Sequence, residues 1–487
     1  MRVLFLHAVE YLEIGIPQGI SLLCGLLREH GHCVAVADTT FMKTNTYKKP
    51  TVGATIYKPT EYDIYDLVEN DPVVNVVEEI QSTIDEFQPD LFSVATMTTN
   101  HQYSVDIVEK LSISCPVIYG GVHSTICPEE VISLDFVDMV CIGEGDLAIP
   151  LLCDAIEKGE EISEIPNLWI KKNGTIIKNE LGPFVELDTL PLPDWSVFDE
   201  RHLFRPFDGE IYVGGFFVTS RGCPGKCTYC LNEALQRICS GCGKYFRRMS
   251  PTKIAEQIKL LKEKYGATWY KFGDDTFLLH TEKEFDELCS LIKPLKIKFG
   301  CSVRPDTVTE KKVALLKEMG CVAMSVGIET GNENLRREHL NRQISNAQIR
   351  KALSIISKYD IRISTFNMLG LPGETRENVY ETIRLNKELG VKAANVYVIY
   401  PFPKSILAEK YNVSIMDTDG RIIPMSEGVR FNFSNMSRED ILGLQKTFNL
   451  RLTLPESLWG AIDVAENDTA EGKKVYDSLL SYAVSVL

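Results

Sequence analysis

Five of the fourteen cysteines lie in one short segment, RGCPGKCTYCLNEALQRICSGCGKY. Cys223, Cys227 and Cys230 are spaced C-x3-C-x2-C, and Cys239 and Cys242 follow as C-x2-C. Three thiolates on one loop can bind three corners of a [4Fe–4S] cluster, which usually has four cysteine ligands. The fourth iron would then lack a protein ligand and be open to an outside molecule. Zinc is the alternative metal, although its usual spacing is two C-x2-C pairs.

The pair formed by Cys239 and Cys242 allows three interpretations. It can be half of a second metal site, a redox-active or solvent-exposed pair, or an ordinary loop insertion. A second metal site needs two further ligands. The candidates for them are Cys289, Cys301, Cys321 and a histidine such as His280.

The N-terminal part of the chain, residues 1–158, alternates predicted strands and helices. Short apolar runs predict five buried strands, at 2–8, 33–38, 90–96, 116–121 and 137–143. Helices lie between them, and one more follows at about 146–158. Five such units predict a doubly wound, Rossmann-like or flavodoxin-like α/β sheet, whose ligands bind beyond the carboxyl ends of the strands.

The rest of the chain is predicted to hold a linker, a second α/β series and a tail. Residues 159–212 form the linker, with a β-hairpin that turns at Asn173-Gly174. Residues 213–400 form the second series and 401–487 a mostly helical C-terminal region, with a helix beginning at Ser437. The second series contains six predicted strands, at 215–220, 268–273, 297–302, 322–328, 361–369 and 393–400. Six strands are too few for a closed eight-stranded barrel, so we expect a partial (β/α)6 barrel.

Over residues 1–400 the sequence resembles the radical S-adenosylmethionine (radical SAM) superfamily, in its branch with an N-terminal cobalamin-binding domain. The cysteine motif has an aromatic residue, Tyr229, at the position that the resemblance places near the adenine. The segment Gly273-Asp274-Asp275 resembles the turn that contacts the methionine amino group, with Asp in place of the usual Gly-Glu. "GIETGNE" implies that Glu329 binds the ribose hydroxyls, and "GLPGET" supplies the glycine-rich turn at Gly370. In this family S-adenosylmethionine chelates the open iron and is cleaved to a 5′-deoxyadenosyl radical.

The N-terminal resemblance is carried by "GGVHST" and "GEGD". It implies cobalamin-binding residues at the strand ends, namely Thr98, Gly120, Gly121, His123, Ser124, Gly143 and Glu144. The better-known signature Asp-x-His-x-x-Gly is absent from the sequence, as in this branch, where no histidine displaces the lower axial ligand. His123 either faces the corrin edge or caps a loop.

The resemblance implies an enzyme that modifies an unactivated carbon, most commonly by C-methylation. Cobalamin-dependent cyclisation or rearrangement, and radical SAM chemistry without cobalamin, are alternatives; an iron–sulfur redox sensor is an alternative of another class. We expect a small-molecule substrate and an external electron donor such as a flavodoxin or ferredoxin. The net charge of −15 argues against a general nucleic-acid-binding protein. The sequence lacks an apolar run long enough to span a membrane, and we expect a cytoplasmic protein.

Overall fold

A computed structural model describes residues 1–10, 12, 14–45 and 64–486 of the chain. Within these residues two seven-stranded sheets follow one another along the chain, and three helices complete the C-terminal end. No described helix is both long and apolar enough to cross a lipid bilayer.

The first sheet has the strand order β2-β1-β3-β4-β5-β6-β7. Its strands are β1 (Arg2–His7), β2 (Cys33–Asp38), β3 (Leu91–Ala95), β4 (Val117–Gly120), β5 (Met139–Cys141), β6 (Leu168–Lys172) and β7 (Thr175–Lys178). Strands β1–β5 are parallel in the flavodoxin-like order, which confirms the predicted doubly wound sheet. The predicted hairpin exists as β6 and β7, and it extends this sheet by antiparallel pairing with β5.

Helices cover both faces of the first sheet. They are α1 (Gln18–Glu29), α2 (Val76–Phe87), α3 (Thr98–Val108), α4 (Val122–Ile126), α5 (Pro128–Ser133) and α6 (Gly145–Lys158). Along β1, Val3 and Phe5 pack into one apolar core while Leu4 and Leu6 pack into another. This two-sided burial is why the strands are continuous apolar runs rather than alternating ones. It also leaves the carboxyl ends of the strands as the free edge for ligands.

The second sheet has the order β16-β15-β14-β13-β12-β9-β8. Its strands are β8 (Phe204–Phe207), β9 (Glu210–Phe217), β12 (Trp269–Phe272), β13 (Lys298–Val303), β14 (Cys321–Glu329), β15 (Arg362–Leu369) and β16 (Ala394–Val398); the short β10 (Ser220–Arg221) and β11 (Arg247–Arg248) pair separately. Six of the seven strands are parallel, and β8 is an antiparallel edge strand. The open, curled sheet confirms the predicted partial barrel.

One strand boundary in this sheet was predicted wrongly. The sequence predicts a strand over 215–220, whereas β9 begins at Glu210 and ends at Phe217. Its first half forms a hairpin with β8 through the turn at Asp208-Gly209. Because this half is mostly exposed, it lacks the apolar run that marks a buried strand.

The helices of the barrel are α7 (Leu231–Ile238), α8 (Pro251–Tyr265), α9 (Glu282–Ile292), α10 (Glu310–Met319), α11 (Glu333–Glu338), α12 (Asn346–Ile356), α13 (Arg376–Glu388) and α14 (Ile406–Tyr411). The C-terminal helices are α15 (Arg438–Thr453), α16 (Trp459–Glu466) and α17 (Ala470–Ser485). The predicted helix start at Ser437 is confirmed, since Ser437 and Asp440 form a capping box. The boundaries of α14, α16 and α17, which also lie in 401–487, were not predicted.

Candidate functional site

The three spaced cysteines lie on the loop between β10 and α7. Cys230 is the N-cap of α7, and the loop before it turns at Gly222, whose φ is +78°. A Cβ at Gly222 would lie 2.7 Å from the carbonyl oxygen of Tyr245. Glycine is therefore required here both by the backbone angle and by the available space.

The sulfur environment fits an iron–sulfur cluster. Each sulfur accepts a hydrogen bond from one N–H group: Cys223 Sγ from Gly225 N at 3.4 Å, Cys227 Sγ from Arg304 Nη1 at 3.9 Å, and Cys230 Sγ from Asn232 Nδ2 at 3.8 Å. Hydrogen bonds to cysteine sulfur are one means by which proteins tune such clusters. The spacing C-x3-C-x2-C on one loop also differs from the two C-x2-C pairs that are usual for zinc.

The two predicted acidic residues after β12 have different surroundings. Asp274 is fully buried and accepts hydrogen bonds from Thr219 N at 3.1 Å, Thr219 Oγ1 at 2.8 Å and Ser220 Oγ at 2.5 Å. Burial raises its pKa to about 6. Asp275 instead hydrogen-bonds Asn232, the residue that donates to a cluster cysteine, and burial raises its pKa as well. Asp274 thus fixes the end of the first barrel strand, and Asp275 lies beside the cysteines.

Glu329 lies at the end of β14 with a φ of +67°, a strained angle for a non-glycine residue. It is 7% exposed and pairs with Arg342 Nη1 at 3.2 Å. Arg342 also donates to Tyr229 Oη at 3.3 Å and to Gly327 O at 2.9 Å. Burial raises the pKa of Glu329, and Arg342 counteracts that rise. One arginine therefore joins the predicted ribose-binding and adenine-binding residues.

The glycine-rich turn after β15 is closed by a buried carboxyl group. Gly370 has a φ of +81°, and Glu374 Oε2 accepts hydrogen bonds from Gly370 N at 2.8 Å and Leu371 N at 3.3 Å. Glu374 Oε1 has no hydrogen-bond partner in the part of the chain that the structure describes. Burial raises the pKa of Glu374 to about 8.

A mostly apolar cavity of about 300 Å³ lies between the two sheets. From the first domain it is lined by the ends of β3, β4 and β5, including four of the predicted residues, Gly120, Gly121, Gly143 and Glu144. From the second domain it is lined by Phe217, Val218, Ser220, Arg221, Met249 and Gln257. Ligand sites of this size and character are typical of domain interfaces.

One polar atom in the wall of this cavity is available to a ligand. Gln257 is 2% exposed and donates through Nε2 to Pro191 O at 3.1 Å. Its Oε1 finds no hydrogen-bond donor among the described residues. A buried, unpartnered acceptor is costly unless a ligand supplies the donor. The amide side chains of a corrin can supply it, so the cavity wall fits cobalamin.

Ion pairs cross the boundary between the two domains beside the cavity. Arg221 binds Asp146 through two hydrogen bonds of 2.6 and 3.0 Å and lies 2.9 Å from Glu144. Glu144 also pairs with Arg247. Glu144 therefore both lines the cavity and anchors two arginines of the second domain.

Three residues that the resemblance assigned to cobalamin do not line the cavity: Thr98, His123 and Ser124. His123 is fully buried, and its Nδ1 lies 3.3 Å from Thr98 Oγ1. Ser124 donates to Gly120 O at 3.1 Å. These residues support the cavity loop from behind.

The second cysteine pair packs against the first domain. Cys239 and Cys242 are 6% and 5% exposed, and Phe184 N donates to Cys242 O at 2.8 Å. A Cβ at Gly143 would lie 3.8 Å from Cys239 Sγ. Burial raises the pKa of Cys239 to about 12, so it is a protonated thiol at neutral pH. Within the described residues no third metal ligand completes a group with this pair inside 4.8 Å.

Several site residues were missed from the sequence. Arg304 directly follows β13, and a charged residue at the end of a barrel strand is a signal that could have identified it. Asn232, Gln257 and Arg342 lie in or beside helices. The sequence carries no local signal for these three, because the tertiary path of the chain brings them to the site.

Comparisons with known proteins match both halves of the chain. The Radical SAM superfamily profile matches residues 217–385, and the B12 binding domain profile matches residues 7–152. An uncharacterized methyltransferase of Pyrococcus horikoshii is 30% identical over 338 residues, which cover 68% of this chain and 71% of that protein. The cytidylyl-2-hydroxyethylphosphonate methyltransferase of Streptomyces wedmorensis is 22% identical, covering 91% of this chain and 89% of its own length.

Two further comparisons bear on function and on fold. The anaerobic magnesium-protoporphyrin IX monomethyl ester cyclase of Rubrivivax gelatinosus is 22% identical, over 68% of this chain and 60% of that protein. Among solved structures, the radical S-adenosylmethionine methyltransferase TsrM of Kitasatospora setae, with cobalamin and a [4Fe–4S] cluster bound, matches with a TM-score of 0.68 at 15% identity. That match covers 100% of this chain and 99% of TsrM, so the whole fold is shared.

Proposed function

Because the chain belongs to the radical SAM superfamily and carries a B12 binding domain, we propose that this enzyme methylates an unactivated carbon of a small-molecule substrate. The observation that supports this most directly is the position of Arg221. It lines the cavity between the domains and lies two residues before Cys223. The proposed cobalamin site and the proposed cluster site therefore share one short segment of chain.

We assign cobalamin to residues 1–158 and the radical chemistry to residues 213–400, with 159–212 connecting them and 401–487 closing the barrel end. Cys223, Cys227 and Cys230 would hold the [4Fe–4S] cluster and leave one iron for S-adenosylmethionine. When bound, the cluster supplies the electron for reductive cleavage of S-adenosylmethionine, and cobalamin supplies methyl-transfer chemistry. An external flavodoxin or ferredoxin would deliver the electron.

Around S-adenosylmethionine the chain would act by binding and orientation. Asp275 provides the acidic acceptor for the methionine ammonium group, with Gly273 and Asp274 holding the turn. Glu329 accepts from the ribose hydroxyls, and Tyr229 packs near the adenine. The turn at Gly370 completes the wall on the far strands, as the family resemblance implies. Arg342 holds Glu329 and Tyr229 in place through contacts of 3.2 and 3.3 Å.

Around cobalamin the chain would supply a wall with few side chains. Gly120, Gly121 and Gly143 bring backbone rather than side chains to the cavity. Gly121 must be glycine, because its φ is +94° and a Cβ would lie 2.6 Å from Thr96 O. Gln257 Oε1 would accept a hydrogen bond from a corrin amide. Glu144 lines the same cavity, while Thr98, His123 and Ser124 hold the loop behind it.

The test is product analysis of anaerobically reconstituted, cobalamin-loaded protein with S-adenosylmethionine and a reductant. We expect 5′-deoxyadenosine, and about one equivalent of S-adenosylhomocysteine per bound corrin before any substrate is added. Cys227→Ala should abolish 5′-deoxyadenosine, whereas Cys301→Ala, a buried cysteine of β13, should retain it.

Other results identify the alternatives. Corrin-dependent 5′-deoxyadenosine without S-adenosylhomocysteine would reject methylation in favour of rearrangement or of cyclisation; cyclisation is the activity named for the Rubrivivax relative. Undiminished activity in a corrin-free preparation would reject the role of cobalamin. A loaded cluster that never cleaves S-adenosylmethionine would indicate a redox sensor.

A further inference from the structure

A second group of metal-binding side chains lies in the first domain, outside the cavity lining. It consists of His101 on α3, His123 on α4 and Glu130 on α5. Each offers one ligand atom, and these atoms all lie within 4.8 Å of one another. Neither the cluster nor the cavity between the domains uses this group. The proposed methyl transfer gives His101 and Glu130 no role and uses His123 only to hold the loop behind the cavity.

The three ligand atoms lie at separations close to those around a single metal ion. Glu130 Oε1 lies 3.4 Å from His123 Nε2 and 3.7 Å from His101 Nε2. The 3.4 Å contact is a long hydrogen bond, since good N–H···O bonds are about 2.7–3.2 Å long. Ligands at about 2.0–2.1 Å around a tetrahedral zinc ion lie about 3.3 Å apart. Small movements of these side chains would therefore complete a zinc site.

The opposite nitrogen of each imidazole is also engaged. His101 Nδ1 lies 3.4 Å from Thr96 Oγ1, and His123 Nδ1 lies 3.3 Å from Thr98 Oγ1. A hydroxyl can accept from Nδ1–H, which leaves the Nε2 lone pair free for a metal. The ring centroids lie 4.1 Å apart, and both Nε2 atoms face Glu130 Oε1.

Charge and burial favour a divalent cation at this point. His101 and His123 are 2% and 0% exposed, and the side chain of Glu130 is 31% exposed. One carboxylate with two imidazoles matches the preference of zinc for nitrogen and oxygen ligands. The partly exposed carboxylate leaves access for water as a fourth ligand.

We propose that His101, His123 and Glu130 bind one zinc ion that joins α3, α4 and α5. The helix α4 follows directly on Gly120-Gly121, the loop that lines the cavity. The ion would therefore hold the back of that loop in place. This site is structurally separate from the cluster and does not depend on the proposed methyl transfer.

The experiment measures zinc in the full-length protein with its cluster reconstituted and free metal removed. We expect about one zinc per chain. Addition of zinc to protein depleted of zinc alone should raise the melting temperature by about 5 °C. X-ray absorption at the zinc edge should show nitrogen and oxygen ligands at about 2.0 Å without sulfur at about 2.3 Å. His123→Ala and Glu130→Gln should each lose most of the zinc and the melting-temperature increase.

Control variants separate this site from other zinc-binding groups. His280→Ala removes a histidine that is 2% exposed elsewhere in the chain and should keep the zinc. Cys239→Ala/Cys242→Ala should also keep it. The triple variant Cys223→Ala/Cys227→Ala/Cys230→Ala should lose radical chemistry yet keep the zinc, so the two proposals can fail independently.

Three results would overturn the zinc site. The first is wild-type protein that retains no zinc. The second is sulfur in the first coordination shell. The third is a Glu130→Gln variant that keeps both the zinc and the increase in melting temperature. Glu130→Gln remains informative if the histidine variants do not fold, because the partly exposed glutamine keeps the size of the side chain.

Discussion

Glu374→Gln should remove a large pH dependence from the stability of the protein. Glu374 is fully buried, and burial raises its pKa from 4.5 to about 8. At neutral pH the carboxyl is therefore protonated in the folded protein and ionised in the unfolded chain. Because the folded pKa is the higher one, the contribution of Glu374 to stability is fully present below pH 4.5 and falls as the pH rises towards 8.

The size of this effect follows from the two pKa values. Each pH unit between them costs about 1.4 kcal/mol of folding free energy. Between pH 4.5 and pH 7 the wild-type protein should therefore lose about 3 kcal/mol through this residue. A glutamine does not titrate, and its oxygen can still accept the hydrogen bonds from Gly370 N and Leu371 N. Between the two pKa values, the free energy of unfolding of the variant should therefore rise relative to that of the wild type by about 1.4 kcal/mol per pH unit.

The assay is anaerobic urea unfolding of both proteins, followed by circular dichroism, at several pH values between about 5 and 8. Glu377→Gln is the matched control, since Glu377 lies just beyond Glu374 in the first turn of α13 and its side chain is 62% exposed. The control should keep the wild-type pH profile. Parallel profiles for wild type and Glu374→Gln would refute the reasoning, because they would mean that the buried carboxyl has the same pKa in both states.

Three further predictions concern the surroundings of the cluster loop. Arg221→Met should lower the free energy of unfolding by about 2–3 kcal/mol, because it leaves the buried Asp146 unpaired. The double variant Arg221→Met/Asp146→Asn should lose less free energy of unfolding than the two single variants together. Additive losses in urea unfolding would contradict this. Cys239→Ala/Cys242→Ala should leave iron and zinc contents unchanged, and a loss of either metal in elemental analysis would show that the pair is a ligand. Arg304→Met should lower the reduction potential of the cluster by roughly tens of mV, because it removes a charged donor from a cysteine sulfur; an unchanged potential in redox titration would show that the contact is not made in the loaded protein.

The fold could be predicted where burial leaves a recognisable pattern of apolar residues in the sequence. The first strand has four consecutive buried residues, Val3 to Leu6, and such a run has few interpretations other than a two-sided sheet. The first half of β9 is exposed, and no pattern marked it. The hairpin at Asn173-Gly174 was predicted from its turn, but its pairing with β5 was not. Local turn chemistry determines a hairpin, whereas the pairing depends on the path of the whole chain.

The same distinction holds for the candidate site. The cysteine motif is contiguous in sequence, so its spacing alone indicated its chemistry. Arg342 and Glu329 are thirteen positions apart and meet only because the chain returns past β14 after α11. His123 was singled out from "GGVHST", but its partner His101 lies on a different helix. A single residue of a spatial cluster can be found from sequence, while its partners come from the fold.

Arg221, Gly222 and Cys223 show how the two halves are joined. Arg221 binds Asp146 and lies 2.9 Å from Glu144, both at the start of α6 in the first domain. Gly222 then turns the chain in a conformation that other residues rarely adopt, and Cys223 begins the cluster motif. Any shift of the first domain would therefore be transmitted to the cluster loop through a single peptide segment. A reaction that needs a corrin and a cluster at a fixed separation requires such rigidity, and a protein that only senses redox state through its cluster does not.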